Sequence, residues 1–111
     1  MKYFTPSEAV KFINSGESVY IQGSTSIPEV LCKALADRGD ELRDVTIYAA
    51  FAVGRCEAPF CRPEYKDAFN IKSLFVANNI RKWLAAGYGS TIPAFLGEIP
   101  ELFRDGTLPL D

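Results

Sequence analysis

The stretch from Val45 to Val53 is nearly all apolar, with no alternation of polar and apolar positions. A strand with one wet face alternates; a strand covered on both faces does not, and that coverage is the mark of a parallel sheet with helices packed on it. This run constrains the fold more than any other feature of the chain. Its neighbours agree with it. Thr5-Pro6-Ser7-Glu8 predicts a helix start, with Thr5 as N-cap, Pro6 in the first position and Glu8 closing a capping box. Ala9, Val10, Phe12 and Ile13 follow at helical spacing, and Gly16 stops the run. Ser18 to Gln22 predicts a short strand. A second helix is expected from an N-cap at Ser26, with Val30, Leu31, Ala34 and Leu35 as its apolar stripe and Arg38-Gly39 as its end.

Gly54 to Asp67 has no clean period and holds Pro59, Pro63 and two cysteines, so a loop excursion with at most one irregular turn is expected there. Ile71 to Ala77 then predicts a strand. A helix capped by Asn78-Asn79 follows, with Ile80, Trp83 and Leu84 on its inner face and Gly87 and Gly89 as its end. Ile92 to Leu96 is a further extended piece, and Ile99 to Phe103 a helical turn. Strands separated by helices imply right-handed crossovers. The expected fold class is therefore α/β, a mostly parallel sheet with flanking helices, in one domain over residues 1–111. Gly106 to Asp111 has the look of an approach to another strand, which leaves an open sheet edge and suggests one part of a larger architecture.

Composition removes several function classes. The chain has 111 residues, 48% of them hydrophobic and 23% charged, which supports a packed core and excludes intrinsic disorder. Twelve basic residues against 14 acidic ones give a net charge of −2, and the basic residues are scattered, so nucleic acid is not an expected partner. The longest wholly apolar run, Ala49 to Val53, is far below the roughly 20 residues of a membrane span. The first eight residues carry no signal-peptide core, so the expected compartment is the cytoplasm. There is no histidine, which removes Ser-His-Asp and Cys-His catalysis and histidine-ligated metal within this chain. Cys32, Cys56 and Cys61 are expected to be reduced structural thiols, and no metal site is expected.

In open α/β sheets ligands collect at the carboxyl ends of strands. Three loops qualify. Gly23-Ser24-Thr25-Ser26 offers small residues and three hydroxyls, suited to a carboxylate, a thioester oxygen or a phosphate, or else forms an ordinary tight turn. Phe51-Ala52-Val53-Gly54-Arg55 would let a ligand approach the backbone, or is simply a strand terminus. Asn78-Asn79 with Arg81 and Lys82 would suit an anionic group, or merely begins a helix. Glu98 is either a carboxylate nucleophile or a charge placed at a helix start.

Several of these segments together resemble a known family. Ser7-Glu8-Ala9-Val10, Ile13-Asn14-Ser15-Gly16-Glu17 and Val19-Tyr20-Ile21-Gln22-Gly23 open the likeness. Pro28-Glu29-Val30-Leu31, Ala34 to Gly39 and Leu42 to Val45 continue it. It is sharpest in Phe75-Val76-Ala77-Asn78-Asn79-Ile80-Arg81-Lys82 and in Pro93 to Phe103. In this order they resemble the N-terminal part of the acetyl-CoA hydrolase/transferase family, which includes 4-hydroxybutyrate, acetate and butyrate CoA-transferases.

The resemblance implies paired α/β lobes with the active site between them. It implies coenzyme A as the acyl-CoA substrate, a carboxylate as the second substrate, and covalent catalysis by a glutamate of the C-terminal lobe. No residue of this chain inherits that role, so no catalytic residue is expected here and the chain alone should be inactive. Gly23, Ser24, Thr25, Phe51 and Asn79 are the expected wall of the acyl or carboxylate pocket. The implied partner is the C-terminal lobe, and apolar loops around Phe51, Phe60 and Phe95 suggest a homodimer of the isolated chain. The alternative is a non-catalytic α/β binding or scaffold module lacking the catalytic half.

Overall fold

A computed structural model describes residues 1–50 and 58–111. Its centre is a four-stranded, wholly parallel sheet in the order β1-β2-β3-β4: β1 is Ser18–Ile21, β2 Val45–Ala49, β3 Phe69–Ser73 and β4 Gly89–Thr91. The helices are α1 (Pro6–Ala9), α2 (Glu29–Ala36), α3 (Asn78–Ala85) and α4 (Ile99–Arg104). The α/β class with flanking helices is as expected. Among the described residues no helix is long and apolar enough to cross a membrane.

The two faces of the sheet are covered differently. Val45, Ile47 and Ile71 point into the main core with Val10, Cys32, Leu35 and Ile80, beneath α1, α2 and α3. Tyr48, Ala50 and Leu74 point the other way, against Ile99, Leu102 and Phe103 of α4 and against Leu108. The Phe103 ring meets Tyr20 and Tyr48 edge-on, with centroids 5.5 and 5.2 Å away. Both faces of β2 are thus buried, which is why its sequence does not alternate.

Local chemistry decides where elements start and stop. The capping box at Thr5 and Glu8 is present, yet α1 is only four residues long and tightens into a 3-10 turn over Val10–Phe12. The Arg38 guanidinium donates to the carbonyls of Val10 and Ile13, the latter at 2.7 Å, and satisfies the end of that turn. Phe12 is exposed and stacks edge-on with Phe4 instead of joining the core. Helix α2 starts at Glu29, not after a Ser26 cap. Pro28 disfavours helical geometry in the residue before it, and Ile27 is extended (φ −61°, ψ 124°). In the packed helix Cys32, Leu35 and Ala36 are buried while Val30 and Leu31 are exposed, so the inner face is shifted from the expected stripe.

The remaining strands differ from expectation in phase. Strand β2 ends at Ala49; the expected continuation over Phe51–Val53 lies outside the described residues. Strand β3 begins two residues before Ile71 and ends at Ser73, whose hydroxyl donates to the Phe75 carbonyl and turns the chain. Strand β4 begins at Gly89, expected as a helix stop, and ends before Ile92–Leu96. A Cβ at Gly89 would stand 2.3 Å from the Ile71 carbonyl oxygen, so the close β3–β4 approach requires glycine. Pro93 has no N–H to offer and strand pairing stops ahead of it. The segment before β3 is no mere excursion: it contains two 3-10 turns, Ala58–Phe60 and Pro63–Tyr65, and buries Phe60, Cys61 and Tyr65 in the main core. Phe60 is only 2% exposed, so it is not part of an apolar surface left for a partner.

Candidate functional site

All four strands run the same way, so their carboxyl ends share one edge of the sheet. The segments after β1, β3 and β4 all leave the sheet there, and those after β3 and β4 adjoin each other. Following β1, Gly23 is extended and Ser24 is left-handed at φ +58°. A left-handed residue with a Cβ is strained by about 1 kcal/mol or more, and such residues cluster at functional loops. The strain opens a 3-10 turn over Ser24–Ser26, closed by the Ser26 N–H donating to the Gly23 carbonyl at 3.3 Å. Ser24, Thr25 and Ser26 are exposed. Ser24 and Thr25, with Ile27, Pro28 and Glu29, border a hollow of about 630 Å³. Hydroxyl groups over an apolar floor suit a ligand with a carbonyl or carboxylate head and an apolar body.

The loop after β3 leads into α3. The helix starts at Asn78, with Ala77 in the cap position and no capping side chain, so the expected asparagine cap does not form. Asn78 is exposed, and the backbone of Asn79 lies in the first turn of α3 at the carboxyl end of β3. Arg81 and Lys82 are exposed on the same helix, and the Lys82 ammonium lies 4.9 Å from the centre of the Trp83 ring. Phe51, the remaining expected wall residue, lies outside the described residues.

The site has a part that the sequence patterns did not single out. Leu74, Phe75 and Val76, with Thr91 to Phe95 and Glu98, line a second hollow of about 540 Å³ beyond the ends of β3 and β4. It is mostly apolar, and Glu98 is its one carboxylate. Glu98 is exposed at the end of a 3-10 turn over Leu96–Glu98, just before α4. That placement is the helix-start charge considered above, in a setting open to water. The signal for this hollow was the aromatic pair Phe75 and Phe95, each of which follows a strand and stays exposed.

The titration shifts that stand out lie away from this edge. Hydrogen bonds from the Thr5 backbone and side chain hold the Glu8 carboxyl below its ordinary value. Thr107 does the same for Asp105, and burial raises the Tyr48 phenol.

The fold is a parallel α/β sheet whose small polar loop and apolar hollows lie at the carboxyl edge, where open sheets of this class collect ligands. The family is then given by comparison. Residues 1–111 match the acetyl-CoA hydrolase/transferase N-terminal domain throughout, and the chain belongs to that family. It is 31% identical over 106 residues to a succinyl-CoA:acetate/propanoyl-CoA:succinate CoA transferase of Fasciola hepatica, covering 94% of this chain and 21% of that protein. It is 27% identical over 110 residues to the 4-hydroxybutyrate coenzyme A transferase of Clostridium kluyveri, covering 99% of this chain and 25% of that one. Among solved structures, RipA from Yersinia pestis superposes with a TM-score of 0.87 at 25% identity, over 97% of this chain and 27% of RipA. The chain thus spans about a quarter of the length of these relatives.

Proposed function

We propose that this domain is the N-terminal lobe of an acyl-CoA:carboxylate CoA-transferase or acyl-CoA hydrolase. It supplies one wall of the acyl or carboxylate pocket, and the glutamate that attacks the thioester belongs to the C-terminal lobe. Coenzyme A enters as the acyl-CoA substrate. The observation that carries this reading is the strained Gly23-Ser24-Thr25 loop, exposed at the carboxyl end of β1 in a chain that matches the family over its whole length. Its N–H and hydroxyl groups suit the oxygen of a thioester or carboxylate. Phe51 and Asn79 complete the proposed wall.

Three features support the division of labour. Glu98 sits in water at the edge of an apolar hollow, without the enclosure that favours covalent acyl transfer. The chain has no histidine to activate a hydroxyl nucleophile. Its relatives are about four times longer. The isolated chain is expected to be a cytoplasmic protein that self-associates through its exposed apolar edge. The test is a CoA-transfer assay on the isolated chain with acetyl-CoA and acetate, butyrate or succinate. No turnover above the uncatalysed rate is expected; robust turnover would place the nucleophile in this chain and make Glu98 the first candidate.

A further inference from the structure

The hollow beyond β3 and β4 carries the inference furthest. Its two walls are apolar segments that leave the sheet at the last rung of the β3–β4 ladder, where Ser73 pairs with Thr91 and the Ile92 N–H donates to the Ser73 carbonyl at 2.9 Å. One wall is Leu74-Phe75-Val76, turned by the bond from the Ser73 hydroxyl to the Phe75 carbonyl. The other runs from Ile92 to Phe95, and Pro93 keeps it from pairing. Leu74 is tied down: its N–H donates to the Ala49 carbonyl at 2.8 Å, and it is buried with Ile99 on the α4 face. The base of the hollow is therefore set by sheet hydrogen bonds and core packing, while Phe75 and Phe95, which line it, stay exposed. Its volume of about 540 Å³ is that of a small-molecule site.

The charge of the hollow is one-sided. Among the described residues that line it, Glu98 is the one charged group and none is basic. The basic side chains of the two adjoining helices do not line it. Arg81 and Lys82 are on α3, the latter beside the Trp83 ring, and Arg104 at the end of α4 is ion-paired with Glu101. An apolar group that enters trades water for aromatic and aliphatic surface. A carboxylate that enters gives up water, finds no cation and faces the like charge of Glu98.

We propose that the hollow takes the tail of the acyl group, and that Glu98 at its rim selects uncharged tails against those that end in a carboxylate. The assignment rests on the acyl-CoA reading above and narrows its substrate class to acyl groups with an uncharged, largely apolar tail, butyryl as against succinyl. Continuity with the proposed wall supplies the occupant. Val76, which lines the hollow, is two residues before Asn78, where α3 begins. A carbonyl held at the first turn of α3 around Asn79 then has its tail beside Phe75 and Phe95.

The test compares kcat/KM for acetyl-, butyryl- and succinyl-CoA, with propionate as the common acceptor, in the full-length polypeptide and two variants. The unaltered protein should prefer butyryl-CoA to succinyl-CoA by on the order of 10-fold or more. Glu98→Gln should narrow that preference by about 10-fold, through a lower KM for succinyl-CoA, with butyryl-CoA changed by less than about threefold. Phe95→Ala should cost butyryl-CoA about 10-fold, and acetyl-CoA, which has no tail to place there, less than about threefold. A preference for succinyl-CoA overturns the subsite. So does a Glu98→Gln variant that leaves the ratio unmoved, which is what a merely structural role would give. Equal losses for acetyl- and butyryl-CoA in Phe95→Ala also overturn it and assign the hollow to protein packing, by the C-terminal lobe or by a second copy. Neither transfer nor hydrolysis with any of the three would contradict the proposed function and the subsite with it; transfer without the predicted selectivity contradicts the subsite alone.

Discussion

Ser18 and Asp111, separated by 93 positions, hold the two ends of the domain together. The Asp111 carboxylate accepts the Ser18 N–H at 2.8 Å and the Ser18 hydroxyl at 3.3 Å, and its own N–H returns to the Ser18 carbonyl. Leu108 anchors the same tail beneath Tyr48 and Leu74. Asp111→Ala should therefore lower stability by about 1 kcal/mol, the usual cost of removing one partner of a part-buried hydrogen bond. Asp111→Asn, which retains an acceptor oxygen, should lose less. Urea unfolding of the three proteins checks the order.

Gly89 tests the β3–β4 register. A methyl group there meets the Ile71 carbonyl oxygen at 2.3 Å and the Ile71 C and Cβ at 3.1 Å, none of them the end of a flexible side chain that could move. Gly89→Ala should cost about 1–3 kcal/mol. Unchanged stability would contradict the pairing of Ile71 with Gly89.

Ser24 tests the strain at the candidate site. Glycine at φ +58° removes the Cβ penalty of about 1–2 kcal/mol and restores about 0.4–1 kcal/mol of unfolded-chain freedom. Ser24→Gly should thus be neutral to stabilising by up to about 1.6 kcal/mol, and Ser24→Val should destabilise. A clear loss of stability in Ser24→Gly would contradict the left-handed turn.

The capping box gives a pH prediction. The folded-state pKa of Glu8 is depressed below the ordinary 4.5 by the Thr5 hydrogen bonds. Its contribution to stability is present in full above that ordinary value and is lost as pH falls through the depressed folded value. Carbon-detected titration should find Glu8 below 4.5, and Thr5→Ala, which removes the side-chain hydrogen bond, should return it part of the way towards that value. No change on that substitution would sink the assignment.

The parallel α/β layering was legible because β2 is buried on both faces and apolar spacing announces the helices, although of the expected caps only Thr5 is in place. Strand phases were not legible, because the reasons lie across the sheet. Gly89 looks like a helix stop until the Ile71 carbonyl beside it is seen. Gly39 looks like a helix-ending glycine, but its need is steric: a Cβ would stand 2.4 Å from the Tyr65 ring. Tyr65 in turn comes from a segment whose prolines disguised a turn that buries its tyrosine. At the site, Gly23, Ser24 and Thr25 lie where the pattern put them, at the end of β1. The hollow at Phe75 and Phe95 was hidden because β3 and β4 end earlier than their apolar sequences do.

Self-association follows from what stays exposed. Phe75 and Phe95 are 48 and 79% exposed around one apolar hollow, and Leu96, next along the chain, is 63% exposed, an arrangement that water disfavours. Light scattering at micromolar concentration should detect a dimer of the isolated chain, and Phe95→Ser should weaken it. A monomer independent of concentration would refute this.

The central claim is that the carboxyl edge of this domain is one wall of an acyl-CoA pocket. It is tested most directly by titrating the ¹⁵N-labelled 111-residue chain with butyryl-CoA and following each backbone amide. The account predicts shifts concentrated at Gly23, Ser24 and Thr25 and at the first turn of α3 around Asn79, with no acyl transfer to the protein. Shifts confined to the opposite edge, around Gly16 and Arg43, or an acyl group carried on Glu98, would contradict it.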